Sequence, residues 1–287
     1  METGNKILST PLFKKKIHLK ADNEQETAQI GLLSFIDISR SGVQILKRNK
    51  AFKVIELIDY VFPFSSDNGV WNKNVLEVVG SADFQTHMAE SESKFALSDS
   101  KVTAVPTSLF SESRKTETFQ FLFEESNDDL VLNQALSNID ATGVFSLPKV
   151  LSESISTPIQ SSYLDWIETL STDSSRLKAN LVLENKQFAL IILKEGKLLL
   201  ANWFAFEKAN DVLYYLMASL ESLKILHSEI DVVLSGEVDK GDDVHSAISK
   251  FISKLSFAKR PKNLTYSYSF KEIPEHRYPF IFASACA

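Results

Sequence analysis

The sequence predicts a mixed α/β protein made from two copies of one sheet-and-helix unit. Three observations carry that reading. A six-residue stretch, Ile45-Leu-Lys-Arg-Asn-Lys50, recurs as Ile192-Leu-Lys-Glu-Gly-Lys197, an offset of 147 residues or about half the chain. Each copy is flanked by short β-branched and aromatic runs split by tight polar turns, the pattern of a three-strand antiparallel meander. The second meander is then followed by two helical stretches separated by a short apolar run, which calls for parallel crossovers onto the same sheet.

Taken in order, residues 32–37, 43–47 and 52–62 form the first meander. Residues 75–79 read as a short helical turn, and 84–95 and 101–106 as extended, with Ser98-Asp99-Ser100 as the turn between them. Residues 108–124 mix polar and aromatic side chains in a helical manner, 133–147 contain another strand, and 163–170 form a linking helix. The second meander covers residues 180–184, 188–194 and 198–206, turning at Glu195-Gly196. Residues 207–226 carry Val212, Leu213, Leu216, Met217, Leu220 and Leu223, the stripe of an amphipathic helix. Val232-Val-Leu234 is a short buried strand. Asp242-Asp243 opens a second helix, its carboxylates favoured by the N-terminal dipole, with Val244, Ala247, Ile248, Phe251, Ile252 and Leu255 on its apolar stripe. Residues 264–270 alternate as a strand, and 279–287 form a short packed helix. The second half therefore reads β-β-β-α-β-α-β-α, a mixed sheet with helices on its faces. Ser/Thr-rich stretches at 152–162 and 171–175 bridge the units, which divides the chain into 1–165 and 166–287, with the boundary inside 160–178.

Composition narrows the function. The chain has 287 residues, 44% hydrophobic and 24% charged, with 31 basic against 37 acidic side chains. The net charge of −6 gives no chain-wide attraction to nucleic acid, so no nucleic-acid partner is expected. Cys286 is the single cysteine; it cannot form an internal disulfide, which points to a reducing, cytoplasmic setting. The apolar runs fall far short of the ~20 residues of a membrane-spanning helix, and the N-terminus lacks the apolar core of a signal peptide.

Four segments carry a resemblance: Val102-Thr-Ala-Val-Pro-Thr-Ser-Leu-Phe110, Asp211-Val-Leu-Tyr-Tyr-Leu216, Val232-Val-Leu-Ser-Gly236 and Pro274-Glu-His-Arg277 with its aromatic tail. Together they resemble a bacterial family of uncharacterised proteins with an actin-like ATPase fold, which is a duplicated ribonuclease-H-like fold. The resemblance implies a cleft between the halves in which active members of the superfamily hold ATP and Mg²⁺. There a strand hairpin from each half grips the phosphates, with an Asp near the metal. A glycine two residues later admits the phosphate oxygens to backbone N–H groups. A glycine pair after a later strand makes room for the adenosine.

At those positions the first hairpin reads Asp37-Ile-Ser39-Arg-Ser-Gly42, with Ser39 where glycine is expected. The offset places Glu184 in the position of Asp37, and Lys186 then stands for the second glycine. Ser235-Gly236-Glu237 offers one glycine for the adenosine rather than two. One reading is that Asp37 and Glu184 hold a Mg²⁺–nucleotide, with Arg40 and Lys186 adding charge. The other is that these are turn residues at strand ends. Loss of the small residue in both hairpins favours the second, and with it no cofactor and a non-catalytic interaction or assembly module with an unknown protein partner. The alternative is an ATP/Mg binder or slow ATPase.

Other chemistry is poorly supported. No Gly-x-x-x-x-Gly-Lys-Ser/Thr, Gly-x-Ser-x-Gly or His-Glu-x-x-His motif occurs. The five histidines, His18, His87, His227, His245 and His276, lack metal-ligand spacing, and one cysteine cannot anchor a zinc site. Asp37, Asp59 and Asp231 have no spacing that selects a two-metal nuclease.

Overall fold

A computed structural model describes residues 13–21, 31–89, 91–123, 129–172 and 176–286. The N-terminal decapeptide and most of the 171–175 bridge lie outside the described residues.

The first meander is β2 (Leu33–Ile38), β3 (Gly42–Arg48) and β4 (Val54–Val61), preceded by β1 (Lys14–Lys20), which adds to β4 antiparallel. After β4 the chain crosses the sheet through α1 (Asn68–Val79) and α2 (Ala82–Met88) and returns as β5 (Glu92–Leu97), parallel to β2. An antiparallel three-stranded sheet follows: β6 (Val102–Pro106), β7 (Asp129–Leu136) and β8 (Ala141–Pro148), ordered β6-β8-β7, with α3 (Lys115–Leu122) between β6 and β7. Then α4 (Lys149–Ser154) leads to β9 (Ile159–Ser161), parallel to β5. The large sheet has the order β1-β4-β3-β2-β5-β9.

Helix α5 (Ser162–Ser171) leads on to β10 (Lys178–Glu184), β11 (Gln187–Lys194) and β12 (Lys197–Ala205). Helix α6 (Ala209–Ser222), β13 (Asp231–Gly236), α7 (Asp243–Ser249) and β14 (Leu255–Phe257) complete a sheet ordered β12-β11-β10-β13-β14. Apart from β1, both sheets place the third, second, first, fourth and fifth strand side by side, with the last two parallel to the first. This is the doubled unit that the sequence predicts.

Each sheet has its own core. In the first, Ile36, Ile38, Val43, Ile45 and Ile58 pack against Trp71, Val75 and Val78 of α1. In the second, Leu181, Leu190 and Leu234 pack against Val212 and Leu216 of α6 and Ile248 of α7. A third cluster joins the units: Val182 and Ile191 meet Phe145, Leu164 and Trp166. The chain's end also crosses back. Leu264, Phe270 and Ile281, the last in α8 (Pro279–Ser284), cover Phe35, Leu46 and Leu57 on the outer face of the first sheet. At roughly 1.5–3 kcal/mol per buried large apolar side chain, this returning segment outweighs any single turn in holding the two units together.

Four local expectations are corrected. Residues 84–95 are not extended throughout: Ser81 caps α2 by accepting from the Phe84 N–H (3.2 Å), and the strand starts only at Glu92. The turn expected at 75–79 is the end of a twelve-residue helix, which Asp67 caps by accepting from the Val70 N–H (2.9 Å). Residues 133–147 hold parts of two strands joined by a turn at 137–140. Residues 264–270 form one bridge, Thr265 to Lys53, before entering a 3₁₀ turn; β14 supplies the fifth strand instead, so Leu255 lies in a strand rather than on the α7 stripe.

Candidate functional site

The first hairpin turns through Ser39, Arg40 and Ser41, and two other parts of the molecule fix its tip. The Ser39 N–H donates to the Gly42 carbonyl (2.9 Å), and the Trp71 indole N–H on α1 donates to the Ser39 carbonyl (2.8 Å). The Arg40 guanidinium lies over the Trp71 ring, 4.4 Å from its centre. It donates through Nη1 to Asn68 Oδ1 (2.8 Å) and through Nη2 to Asp99 Oδ2 (2.7 Å). A planar fork of this kind suits two oxygen acceptors at once. Both acceptors here belong to the protein.

Asp37, at the end of β2, is 2% exposed. Its two oxygens accept from the hydroxyls of Ser162 (2.6 Å), at the start of α5, and Ser98 (3.2 Å), just past β5. Burial raises its pKa to about 7 even though both hydroxyls favour the ionised form. The carboxyl therefore ties β2, β5 and α5 together from within.

The second hairpin has a two-residue turn, Asn185 and Lys186, with Asn185 at φ +55°. Lys186 is exposed, and its carbonyl accepts from the Phe206 N–H (2.9 Å). Pairing in the two hairpins is not equivalent. Ile45 sits opposite Ile36, whereas Ile192 sits opposite Ala179. Keeping the recurrent stretches in register thus puts buried Asn180, rather than Glu184, in the place of Asp37. Glu184 lies further along the longer arm of its hairpin. Its carboxyl is raised well above the usual range by burial, then by the charges of Asp37, Glu237, Asp59 and Asp99.

Both glycines of the candidate set are required by packing. A Cβ on Gly42 would come within 2.2 Å of the Tyr60 carbonyl oxygen on β4. On Gly236 it would come within 2.2 Å of the Leu183 carbonyl oxygen, and φ there is +81°. The Gly236 N–H donates to the His276 carbonyl (2.8 Å).

Two spaces lie along the hairpins. Between their tips, lined by Arg40, Ser41, Glu184, Asn185 and Trp203, is a space of about 10 Å³, enough for about one water molecule. Beside it opens a cleft of about 580 Å³, a size that accommodates a small organic molecule. Ser41, Gly42, Asp59 and Phe62 line its first-half side, Glu184, Asn185, Gly236 and Glu237 its second-half side, and Glu272, Arg277 and Tyr278 its wall. Asp59 is buried and accepts from the Tyr278 hydroxyl (2.9 Å); burial raises its pKa. Arg277 is paired with Asp239 (2.7 Å). With Asp59, Glu184, Glu237 and Glu272 against Lys16 and Arg277, carboxylates predominate on the walls.

Asp37, Ser39, Gly42, Glu184 and Gly236 thus gather around the two hairpins, and Lys186 points to solvent. No local pattern points to the destination of Arg40, to Ser162 on Asp37, or to Tyr278 on Asp59, since these partners are brought together only by the crossovers.

The strand order of both sheets and the cleft between their hairpins define an actin-like ATPase fold. The chain is similar in structure to a protein from Bacteroides thetaiotaomicron VPI-5482 with an actin-like ATPase fold and unknown function. The TM-score is 0.74 at 17% identity, covering 91% of this chain and 98% of that one. It is also similar to a chain of the PilM–PilN type IV pilus biogenesis complex, with TM-score 0.57, 11% identity, and coverage of 89% and 97%. No curated protein matches it in sequence. Residues 23–255 match the model of a family described as proteins of unknown function, DUF3822, and the chain belongs to that family. Among the described residues, no helix is long and apolar enough to cross a membrane.

Proposed function

We propose that this protein is a non-catalytic interaction or assembly module that operates in the cytoplasm without a nucleotide cofactor. Its two halves meet within residues 160–178. The observation that carries this reading is the space of about 10 Å³ between the hairpin tips. A triphosphate needs backbone N–H groups and cations to surround its oxygens. Here Arg40 is committed to Asn68 and Asp99, and Asp37 to two serines. Gly42 and Gly236 are already approached by backbone carbonyls. The residues present do not fit a Mg²⁺–triphosphate. The similarity to a chain of a pilus biogenesis complex agrees with an assembly role; the partner would be a protein.

A second reading, an ATP/Mg binder or slow ATPase, is favoured by the 580 Å³ cleft next to Gly236. Calorimetric titration of the full chain with Mg-ATP separates the two. No saturable heat up to millimolar nucleotide is expected. Saturable micromolar binding that Asp37→Ala abolishes would overturn the proposal in favour of the second reading.

A further inference from the structure

Away from the cleft, β1, β4 and α2 bring together three side chains that are widely separated in sequence. Glu56 on β4 is 4% exposed. In the β1–β4 ladder it stands opposite Lys20, one same-face position from His18. Glu56 Oε1 lies 2.7 Å from His18 Nε2, and its Oε2 lies 3.5 Å from His87 Nδ1. The two imidazoles meet edge to face with ring centres 5.4 Å apart. One nitrogen of each histidine and one Glu56 oxygen all fall within 4.8 Å of one another. Two of the five histidines, His18 and His87, therefore meet, although their sequence spacing shows no ligand pattern.

We propose that His18, Glu56 and His87 form a binding site for a divalent transition metal of the Zn²⁺ class. Zn²⁺ bonds of about 2.0–2.2 Å to two imidazoles and one carboxylate would place the donor atoms roughly 3.2–3.6 Å apart. The His18–Glu56 contact at 2.7 Å must open slightly and the widest donor separation, up to 4.8 Å, must close by about 1 Å; His18 lies on an exposed edge strand, which can move. Two nitrogens and one oxygen suit Zn²⁺, whereas Mg²⁺ and Ca²⁺ prefer oxygen donors throughout. Two supporting groups lie close by. Lys47 Nζ, itself buried, holds the other Glu56 oxygen at 3.0 Å and favours monodentate binding. Asp83 Oδ1 lies 3.8 Å from His87 Nε2, the nitrogen away from Glu56 Oε2. That is beyond hydrogen-bond distance; a shift of about 1 Å on metal binding would bring the carboxylate onto the N–H, where it would fix the tautomer and orientation of the histidine. Asp83 is in turn held by the Tyr60 hydroxyl (2.7 Å) and Lys15. Lys20, 3.5 Å from Glu56 Oε1, is mostly exposed and free to swing aside. The partly exposed His18 leaves a fourth position for water. Such an ion would clip β1, an edge strand, to α2.

The test is titration of the chelator-treated full chain with Zn²⁺ alone. One equivalent should bind with a dissociation constant in the micromolar range or tighter. His18→Ala and His87→Ala should each weaken binding at least tenfold, and Asp83→Asn severalfold. His227→Ala, at an exposed site elsewhere, should leave it unchanged. Zn²⁺ should raise the melting temperature of the natural chain but not of His18→Ala, in which Lys47 still pairs with buried Glu56. Co²⁺ in place of Zn²⁺ should give visible bands that disappear in that variant. Absence of saturable binding, or binding unchanged by His18→Ala and His87→Ala, would overturn the proposal.

Discussion

The two hairpins facing the cleft hold their shapes by different means. In the first, Ser39, Arg40 and Ser41 are pinned by Trp71 and Asn68 from α1 and by Asp99 from beyond β5. In the second, a two-residue turn closes a long, regular ladder, and a side chain beyond β13, Glu237, accepts from the Asn185 N–H (3.0 Å). Strand order has been kept across the two halves while the turns have diverged. The comparison teaches that a shared sheet does not carry a shared site. The recurring stretch that begins on β3 and β11, identical at four of its six positions, marks common architecture, whereas the chemistry at each tip depends on what the crossovers bring to it.

The largest expected effect comes from the glycines, which test whether the tips are built for packing or for a ligand. Gly236→Ala would force a Cβ against the Leu183 carbonyl and place alanine at φ +81°. It is expected to cost about 3 kcal/mol or more, read as a lower midpoint in urea unfolding. Normal stability in that variant would break the comparison, because the glycine would then be free for something other than the β10–β13 contact.

Arg40→Ala should follow, at about 2–3 kcal/mol. It strands the Asp99 carboxylate, which is 7% exposed, and removes the stacking on Trp71. Thermal unfolding measures the loss. The matching change in the second hairpin, Lys186→Ala, should stay within about 0.5 kcal/mol because that side chain is exposed. Equal costs for the two would erase the distinction between a pinned and an unpinned tip.

Much of the frame was legible in the sequence. The meanders and β13 announce themselves as short apolar runs between polar turns, α6 through a 3.6-residue stripe over several turns, and α8 as an apolar run after Pro279. Helix α2 did not, because seven residues carrying only Phe84 and Met88 as large apolar groups give little periodicity; the Ser81 cap was its main signal. Strand β14 was hidden because Leu255, spaced correctly for α7, continued that helix's stripe past its true end at Ser249. At the site, Asp37 could be read from its position at a strand end. The match of Glu184 to it could not be checked, since an offset taken from β3 says nothing about how far β10 slides along β11. The partners of Arg40 lie 28 and 59 residues away, beyond any local pattern.

The last expected effect depends on pH and concerns Asp37 itself. Its folded pKa, about 7, lies above the ordinary value of 3.8. Between those values the native state binds a proton that the unfolded chain does not, so stability falls as pH rises through 7. From pH 8 to pH 5.5 the natural chain should gain about 2 kcal/mol from this group alone. Asp37→Asn cannot titrate there, and the Ser98 and Ser162 hydroxyls can turn to suit its amide. The variant's gain over that interval should therefore be smaller by about that amount, measured by urea unfolding at both pH values. Asp59, Asp165 and Glu184 are also raised and add slope of the same sign in both proteins; because the Asp37 charge is one of the causes that raise Glu184, the difference reports Asp37 together with its coupling to Glu184. Equal slopes would mean that Asp37 is already ionised at pH 5.5 despite its burial. The first hairpin would then offer a carboxylate to a cation, and the contrast with the second would have to be drawn on charge rather than on packing.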